Sequence, residues 1–448
     1  MPKLLLANLG SAHHRDPEDG GETPTRSYLT MHAQRALWCA EPGDVVVLPV
    51  PVSAGFIRHV TRVLGIDRKS LSIGVAPSGE AGVHTPLGRR IRSTPFEEAL
   101  LRTVRQHGVD RIWPYLFDTG MADLARRLGL DAGTAGFAFF EQGGGELLND
   151  KATFRAMAAG IGASVPPGTV TTSPDFAEEY LWSRLADGLP AVVKQARNLG
   201  GHGNELLLSP GAEIEPLGVS RTTVVRSRTA LARHLADRWQ RYTRRGQDPL
   251  IIERYFPGAR SLYVGLHVAD DGVTSYGHGE MRMAPFVAGL AVPAPAGDQR
   301  EFPVFLEQAR QLGDATRSMG YRGRLSIDAV LTPSGQILLT EFNARAGGAT
   351  HTHLIAERAG ATQSPPDRIL LDCRHRPAAA LNTSLSLLAE HGLRYDQHRR
   401  NGILITVHHD TQSPPYGEFC AVADSPDAVG ALAAQANALL SLPAPVTV

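Results

Sequence analysis

The sequence predicts a mixed α/β and α+β protein in three parts: a small βα domain over 1–148, a larger α+β core over 149–362 and a small α+β module over 363–448. Three observations carry this. The 448 residues suffice for about three domains at roughly 100–200 residues each. Short apolar runs alternate with helical periodicity before Leu147, the pattern of a small parallel sheet. The texture then changes to hairpin-like strands around a glycine-rich loop, and changes again after Gln363-Ser364-Pro365-Pro366, a linker-like break.

In the first part Lys3–Leu9, Asp44–Val50, Leu71–Val75, Arg111–Leu116 and Phe137–Phe140 are expected as strands, with helices at Phe56–Leu64 and Phe96–His107. A polar loop, Ser11–Thr25, follows the first strand. The glycine at its start, Gly10, lacks the G-x-G-x-x-G context of a dinucleotide turn. Asn149 or Asp150 caps a helix over Lys151–Gly160, and Gly168–Thr172 is a strand. Ala191–Gln195 and Glu205–Leu208 flank Asn198-Leu199-Gly200-Gly201-His202-Gly203-Asn204 as a hairpin lid. A helix at Thr229–Arg241 and strands at Leu250–Glu253 and Ser261–Val268 come next. Met283–Gly297 is rich in proline and alanine without periodicity and is expected as a surface loop. Leu325–Leu331 and Ile337–Phe342 form a hairpin. In the last part a helix at Ala379–Glu390, a strand at Gly402–His408 and a helix at Pro426–Leu440 are expected.

Basic and acidic residues balance at 45 each, so no net charge draws the chain to nucleic acid or an anionic membrane, and neither is an expected partner. A composition 42% hydrophobic and 20% charged excludes a disordered chain. Cys39, Cys373 and Cys420 are far apart and in no metal-ligand spacing, which suits a reducing cytoplasm. The apolar run near Met1 is too short for a signal peptide, and Ala428–Val448 is interrupted by Gln435, Asn437, Pro443 and Pro445. A cytoplasmic protein is expected. Lysine occurs only at Lys3, Lys69, Lys151 and Lys194, so each invites the question of why arginine does not stand there.

The chemistry concentrates between Arg324 and His353. A two-residue turn at Ser334-Gly335 sets Asp328 opposite Glu341, and Asn343 shares the face of Glu341. Facing carboxylates call for a cation, and an all-oxygen set suits Mg²⁺ shared with substrate phosphates. Arg345 before Gly347-Gly348 fits phosphate or acyl-phosphate binding. Lys194 can reach phosphate oxygens while the N–H groups of Gly200, Gly201 and Gly203 cover them, and Lys151 can reach the same anion from another side. Glu253, ahead of Tyr255-Phe256-Pro257-Gly258, puts backbone groups at an adenine edge with an aromatic wall. His351-Thr352-His353 lacks H-E-x-x-H zinc spacing, so His351 is taken as a substrate contact. Arg282 is a second candidate, for a substrate carboxylate. His13-His14 and His408-His409-Asp410 are read as polar loop ends.

Lys151, Lys194 with its glycine loop, the Ile252–Gly258 hinge, Asp328 and the Glu341-x-Asn343-x-Arg345 element stand in the order and approximate spacing of the ATP-grasp ligases. The resemblance covers about residues 147–360. It implies an ATP-grasp fold behind a pre-ATP-grasp domain, with ATP and Mg²⁺ as cofactors. It also implies carboxylate activation as an acyl phosphate, then attack by an amine, with Arg324 and Arg345 stabilising the acyl phosphate and oxyanion. The full layout is similar to that of a peptide ligase of the superfamily, which implies a small amino-acid-like acid joined to a peptide N-terminus. The C-terminal module would then wall the active-site mouth, pack on the core or make a homodimer contact. Where many members carry an acid for the ribose, this chain has Arg260 and Ser261. Two rival readings are a nucleotide-binding regulator without turnover and an ATP-grasp carboxylase or kinase of a small metabolite.

Overall fold

The structure, a computed structural model, describes residues 1–8, 26–83, 85–198, 200–363, 365–409 and 415–441. The Ser11–Thr25 loop with His13 and His14, Leu199, Asp410 and the tail past Ser441 lie outside the described residues.

The first sheet is built from β1 (Lys3–Leu6), β2 (Val45–Leu48), β3 (Ser72–Val75) and β4 (Arg111–Pro114), all parallel in the order β3-β2-β1-β4. Each side chain of β1 is buried, as expected of a strand covered on both faces. Period-two alternation sorts them. Leu4 and Leu6 join one core with Leu262, Ile327 and Phe342, whereas Leu5 joins another with Trp38, Leu370 and Phe419. The helices Ala54–Leu64 and Pro95–Gln106 form where periodicity places them, capped by Ser53 and Thr94.

Phe137–Phe140 departs from expectation. These residues start a helix, Phe137–Glu141, in which Phe140 stacks on Phe117 at 4.1 Å. A four-residue apolar run has no period to separate strand from helix, and here tertiary packing decides.

The second sheet contains β5 (Gly168–Thr171), β6 (Ala191–Gln195), β7 (Asn204–Leu208), β8 (Arg221–Val224) and β9 (Leu250–Arg254) in the order β5-β9-β6-β7-β8. Its β6–β7 pair is the expected hairpin, with Lys194 opposite Asn204. Helices Pro174–Ala186 and Arg228–Tyr242 cover one face.

The third sheet has eight strands: β10 (Arg260–Val268), β11 (Val273–Met283), β12 (Val287–Val292), β13 (Gly323–Leu331), β14 (Ile337–Asn343), β15 (Ile369–Pro377), β16 (Gly402–His409) and β17 (Tyr416–Ala423). They run antiparallel in the order β14-β13-β10-β11-β12-β15-β17-β16. The surface loop expected over Met283–Gly297 is instead a tight turn and β12, an interior strand paired with β11 and β15. Its Val-Ala-Gly-Leu-Ala-Val run lacks alternation because both faces of its C-terminal half are covered. The strands of the C-terminal segment continue this sheet through β15 rather than forming one of their own. β16 ends it, and its exposed ladder is answered by side chains of the first domain. Gln34 bonds both the N–H and the C=O of His408 at 2.6 Å, Trp38 Nε1 donates to Thr406 O at 2.9 Å, and His59 Nε2 lies 2.8 Å from Ile405 O. No helix among the described residues is long and apolar enough to cross a membrane.

Candidate active site

A cavity of about 430 Å³ opens between the second and third sheets, lined by β6, β9, β10, β11, β13 and β14, the glycine loop and the first domain. Asp328 faces Glu341 as expected, but by a different route. The turn spans Thr332–Gln336, so β13 and β14 start out one residue out of the expected register, with Leu331 opposite Ile337. Thr340 then bulges, and the shift puts Asp328 on Glu341 and Ser326 on Asn343. The bulged Thr340 itself lines the cavity.

Around that pair the polar groups interlock. Ser326 Oγ donates to Asp328 Oδ1 at 2.9 Å, and Asn343 Nδ2 donates to Oδ2 at 3.0 Å. Lys151 Nζ, at the start of the helix capped by Asp150, lies 2.9 Å from Glu341 Oε2 and 2.8 Å from Asn198 O. Burial raises the Asp328 carboxyl, and the facing Glu341 raises it further. Burial works on Glu341 too, but the Lys151 ammonium and, beyond it, Lys194 and Arg345 hold that carboxyl below its usual range. Two carboxylates facing across a ladder repel when both are ionised, and a bound cation would relieve that repulsion. Among the described residues no three His, Cys, Asp or Glu side chains gather as a metal site; the oxygen donors at this point are the Asp328 and Glu341 carboxylates and the Asn343 carboxamide, with Ser326 Oγ beside Asp328. That set suits Mg²⁺ completed by phosphate oxygens and does not suit zinc.

Glu253 is 2% exposed with both oxygens engaged: Lys194 Nζ at 2.5 Å and Arg155 Nη1 at 2.6 Å. Lys194 is thereby aimed into the cavity and oriented by the hinge. Of the hinge N–H groups, those of Arg254 and Tyr255 are already bonded to Pro167 O and Pro190 O. The Tyr255 hydroxyl accepts from Leu217 N at 2.9 Å, which fixes the ring as a wall beside Val192, Leu206 and Val219, and Phe256 lines the cavity beside it.

Gly200 and Gly201 line the cavity, both with positive φ, and a Cβ at Gly201 would sit 2.5 Å from Gly218 O. Gly203 is packed against Asn198 and Gln195 instead. The loop closes onto the third sheet through the His202–Phe286 stack at 4.6 Å and the Gly218 N–Pro285 O bond at 2.8 Å.

Arg345 lines the cavity and is tied to the Asn149 side chain. Arg324 does not line it; its guanidinium lies 4.5 Å from the centroid of Tyr276, which does. Arg282 is exposed on β11 and His351 is buried in the helix Thr350–Ala359, and neither lines the cavity. Arg260 is paired with Glu280, while Ser261 lines the cavity.

Sequence reasoning missed several lining residues. His32, Arg35 and Tyr115 come from the first domain and Arg374 from β15. Tyr115 Oη donates to Gly347 O at 2.7 Å and Tyr115 O accepts from Ala346 N at 2.9 Å, which clamps the strap after Asn343. No local pattern marks a buried arginine inside a helix or strand, so the first domain carried no visible signal.

Residues 33–130 match the pre-ATP-grasp domain model, and residues 385–434 match the PGM1 C-terminal domain model. The chain is 25% identical over 213 residues to the L-propargylglycine–L-glutamate ligase of Streptantibioticus cattleyicolor, a match spanning 44% of each protein. Among solved structures it is similar to the N5-carboxyaminoimidazole ribonucleotide synthetase of Thermus thermophilus (TM-score 0.57, 16% identity, 99% of both chains). It is also similar to the biotin carboxylase of Campylobacter jejuni solved as a βγ-ATP complex (TM-score 0.57, 13% identity, 98% of this chain and 91% of that one).

Proposed function

Since the chain has the ATP-grasp fold with a pre-ATP-grasp domain ahead of it, we propose that it is an ADP-forming carboxylate–amine ligase. The observation that carries this is one cavity lined by Lys151, Lys194, Glu253, Asp328, Glu341, Asn343 and Arg345. In this reading a carboxylate oxygen takes the γ-phosphoryl group of ATP and ADP leaves. The amine nitrogen then attacks the acyl carbon, phosphate departs with the bonding electrons, and the nitrogen gives up its proton. Phosphoryl transfer of this kind asks a protein for positioning and charge neutralisation more than for covalent help.

Asp328, Glu341 and Asn343 would hold Mg²⁺, which when bound offsets charge on the phosphate oxygens. Lys194 and Lys151 bind phosphate from two sides, the N–H groups of the glycine loop cover it, and Tyr255 with Phe256 walls the base. Arg345 stabilises the acyl phosphate and the oxyanion, and Arg324 supports that end through Tyr276. The acceptor we infer is the N-terminal amine of a peptide. Walls contributed by the first domain and β15 support it, as does the layout, similar to the peptide ligase of pheganomycin biosynthesis.

ADP release from pairs of acids and amines, with mass spectrometry of the product, tests the chemistry. Glu341→Gln and Asn343→Ala should each leave less than about a tenth of wild-type turnover, a barrier increase above roughly 1.4 kcal/mol, in chains that stay folded. Peptides should exceed free amino acids in kcat/KM, and equal use of both would remove the peptide assignment. ADP release that depends on bicarbonate and on no amine would instead make the protein a carboxylase.

A further inference from the structure

We propose that Arg35 and Arg374 form a subsite for a carboxylate of the acid substrate, so that the first domain and the C-terminal segment select the substrate of this cavity. The inference rests on the ligase reading above and names its substrate class: an acid that presents an ionised carboxylate at this point.

Both arginines are buried, at 4% and 6% exposure, yet both line the cavity. Each is held by an acid behind it. Arg35 spends Nε and Nη2 on Glu418, at 3.0 and 2.7 Å. Arg374 spends Nε on Asp372 at 2.6 Å and Nη2 on Gly348 O at 2.8 Å. In each case Nη1 is the nitrogen left without a bond among the described residues. Those two nitrogens converge. A Cβ built on Gly348 would lie 3.4 Å from Arg374 Nη1 and 3.9 Å from Arg35 Nη1. Gly348 has no positive φ, so its backbone does not demand glycine. What the missing side chain provides is room at the point where two guanidinium edges meet.

A purely structural pair of ion bridges would turn its spare donors into packing or onto carbonyls. Here they face the cavity, already oriented, with their other nitrogens locked. Converging like charges repel, and a planar carboxylate taking one N–H from each relieves that. Next to Gly348, whose carbonyl Arg374 holds, Gly347 is bonded by Tyr115 and Thr350, so the subsite lies at the end of the same strap that starts at Asn343 and carries Arg345. An acid held there therefore lies along the strap from the metal-binding pair.

The test uses the full chain saturated with Mg²⁺ and a non-hydrolysable ATP analogue. Calorimetric titration with amino acids and dicarboxylic acids, each beside its primary amide, selects the tightest acid. Wild type should prefer acid over amide by about tenfold or more, as a charge-assisted bond warrants. Arg374→Lys and Arg35→Lys keep the charge but lose the fork, and should cut that preference to less than about threefold, with analogue affinity unchanged. Gly348→Ala removes neither ion pair but fills the space between the two Nη1 atoms, and should weaken the acid alike, so the proposal stays testable if an arginine variant fails to fold. For a dicarboxylic acid, if the monoamide whose binding is weakened still supports ADP release, the arginines hold the non-reacting carboxylate. If the affected monoamide abolishes ADP release, the arginines hold the reacting carboxylate. Preference retained in the variants, parallel loss of analogue affinity, or no carboxylate bound by wild type overturns the proposal. Absence of ADP release with every acid and amine would count against the ligase reading alone, because carboxylate binding is read without turnover.

Discussion

The four lysines show how far a single residue can be interpreted before the fold is known. Lys151 and Lys194 reach the cavity and are held by Glu341 and Glu253, whereas Lys3 is buried between Asp44 at 2.9 Å and Glu41 at 2.8 Å. Lys69 sits in an exposed turn. Lys194→Ala should weaken ATP binding and catalysis together while Arg155 keeps Glu253 paired. Lys69→Ala should change nothing. Lys3→Ala should leave nucleotide titration unaffected yet cost about 3 kcal/mol of stability, because it strips the cation from the fully buried Asp44. Nucleotide titration and chemical denaturation of the three variants separate the roles, and equal effects on ATP binding would remove the phosphate assignment of Lys194. Scarcity of lysine flagged all four positions alike; only burial and partners tell a structural ammonium from a cavity one.

At the scale of the element, the glycine hairpin and the β13–β14 hairpin were legible because their signals are local. A turn sequence between two apolar runs needs no distant partner to be recognised. The bulge at Thr340 was not legible, since the ladder around it is set by β10 and by what packs on each face. β12 was missed for a related reason: a strand covered over much of both faces loses its alternation. Gly201 is where the lid can be tested. Gly201→Ala meets Gly218 O and a φ of +80, both unfavourable to a side chain. It should displace the loop and weaken ATP binding by about tenfold, roughly 1.4 kcal/mol, with the unfolding midpoint little changed. Unaltered ATP affinity would mean the loop does not cover the phosphates.

Over the whole molecule, the first domain and the C-terminal segment share one core, in which Leu5, Trp38, Phe56 and Val60 pack with Leu370, Phe419 and Cys420. The shared core predicts that truncation before Asp367 leaves a chain without cooperative folding, seen as aggregation or loss of the unfolding transition. Buried histidines at this junction make stability depend on pH. Burial lowers His59 to about 4 and also lowers His409 to about 4. Both native values lie below the unfolded value near 6.5, so the unfolded chain takes up protons first and stability falls as pH drops from about 6.5 towards 4. The slope is at most about 1.4 kcal/mol per pH unit for each group. Denaturant midpoints measured from pH 7 to 5 should fall, and His59→Gln should flatten the decline by one group's share. An unchanged slope in that variant would place the titration elsewhere.

Local periodicity, caps and turn residues determined most of the helices, several of the strands and the presence of the β13–β14 hairpin, because each is specified within a few residues, whereas the bulge that sets Asp328 on Glu341 was not. The order of motifs along the chain indicated the ATP-grasp fold. Only the tertiary structure decided that the C-terminal strands continue the large sheet and that Phe137–Phe140 is helical. It alone decided that Arg35 and Arg374, 339 positions apart in the numbering, converge on Gly348. Such convergence depends on contacts between segments whose own sequences look like ordinary helix and strand, and no local free-energy preference records it.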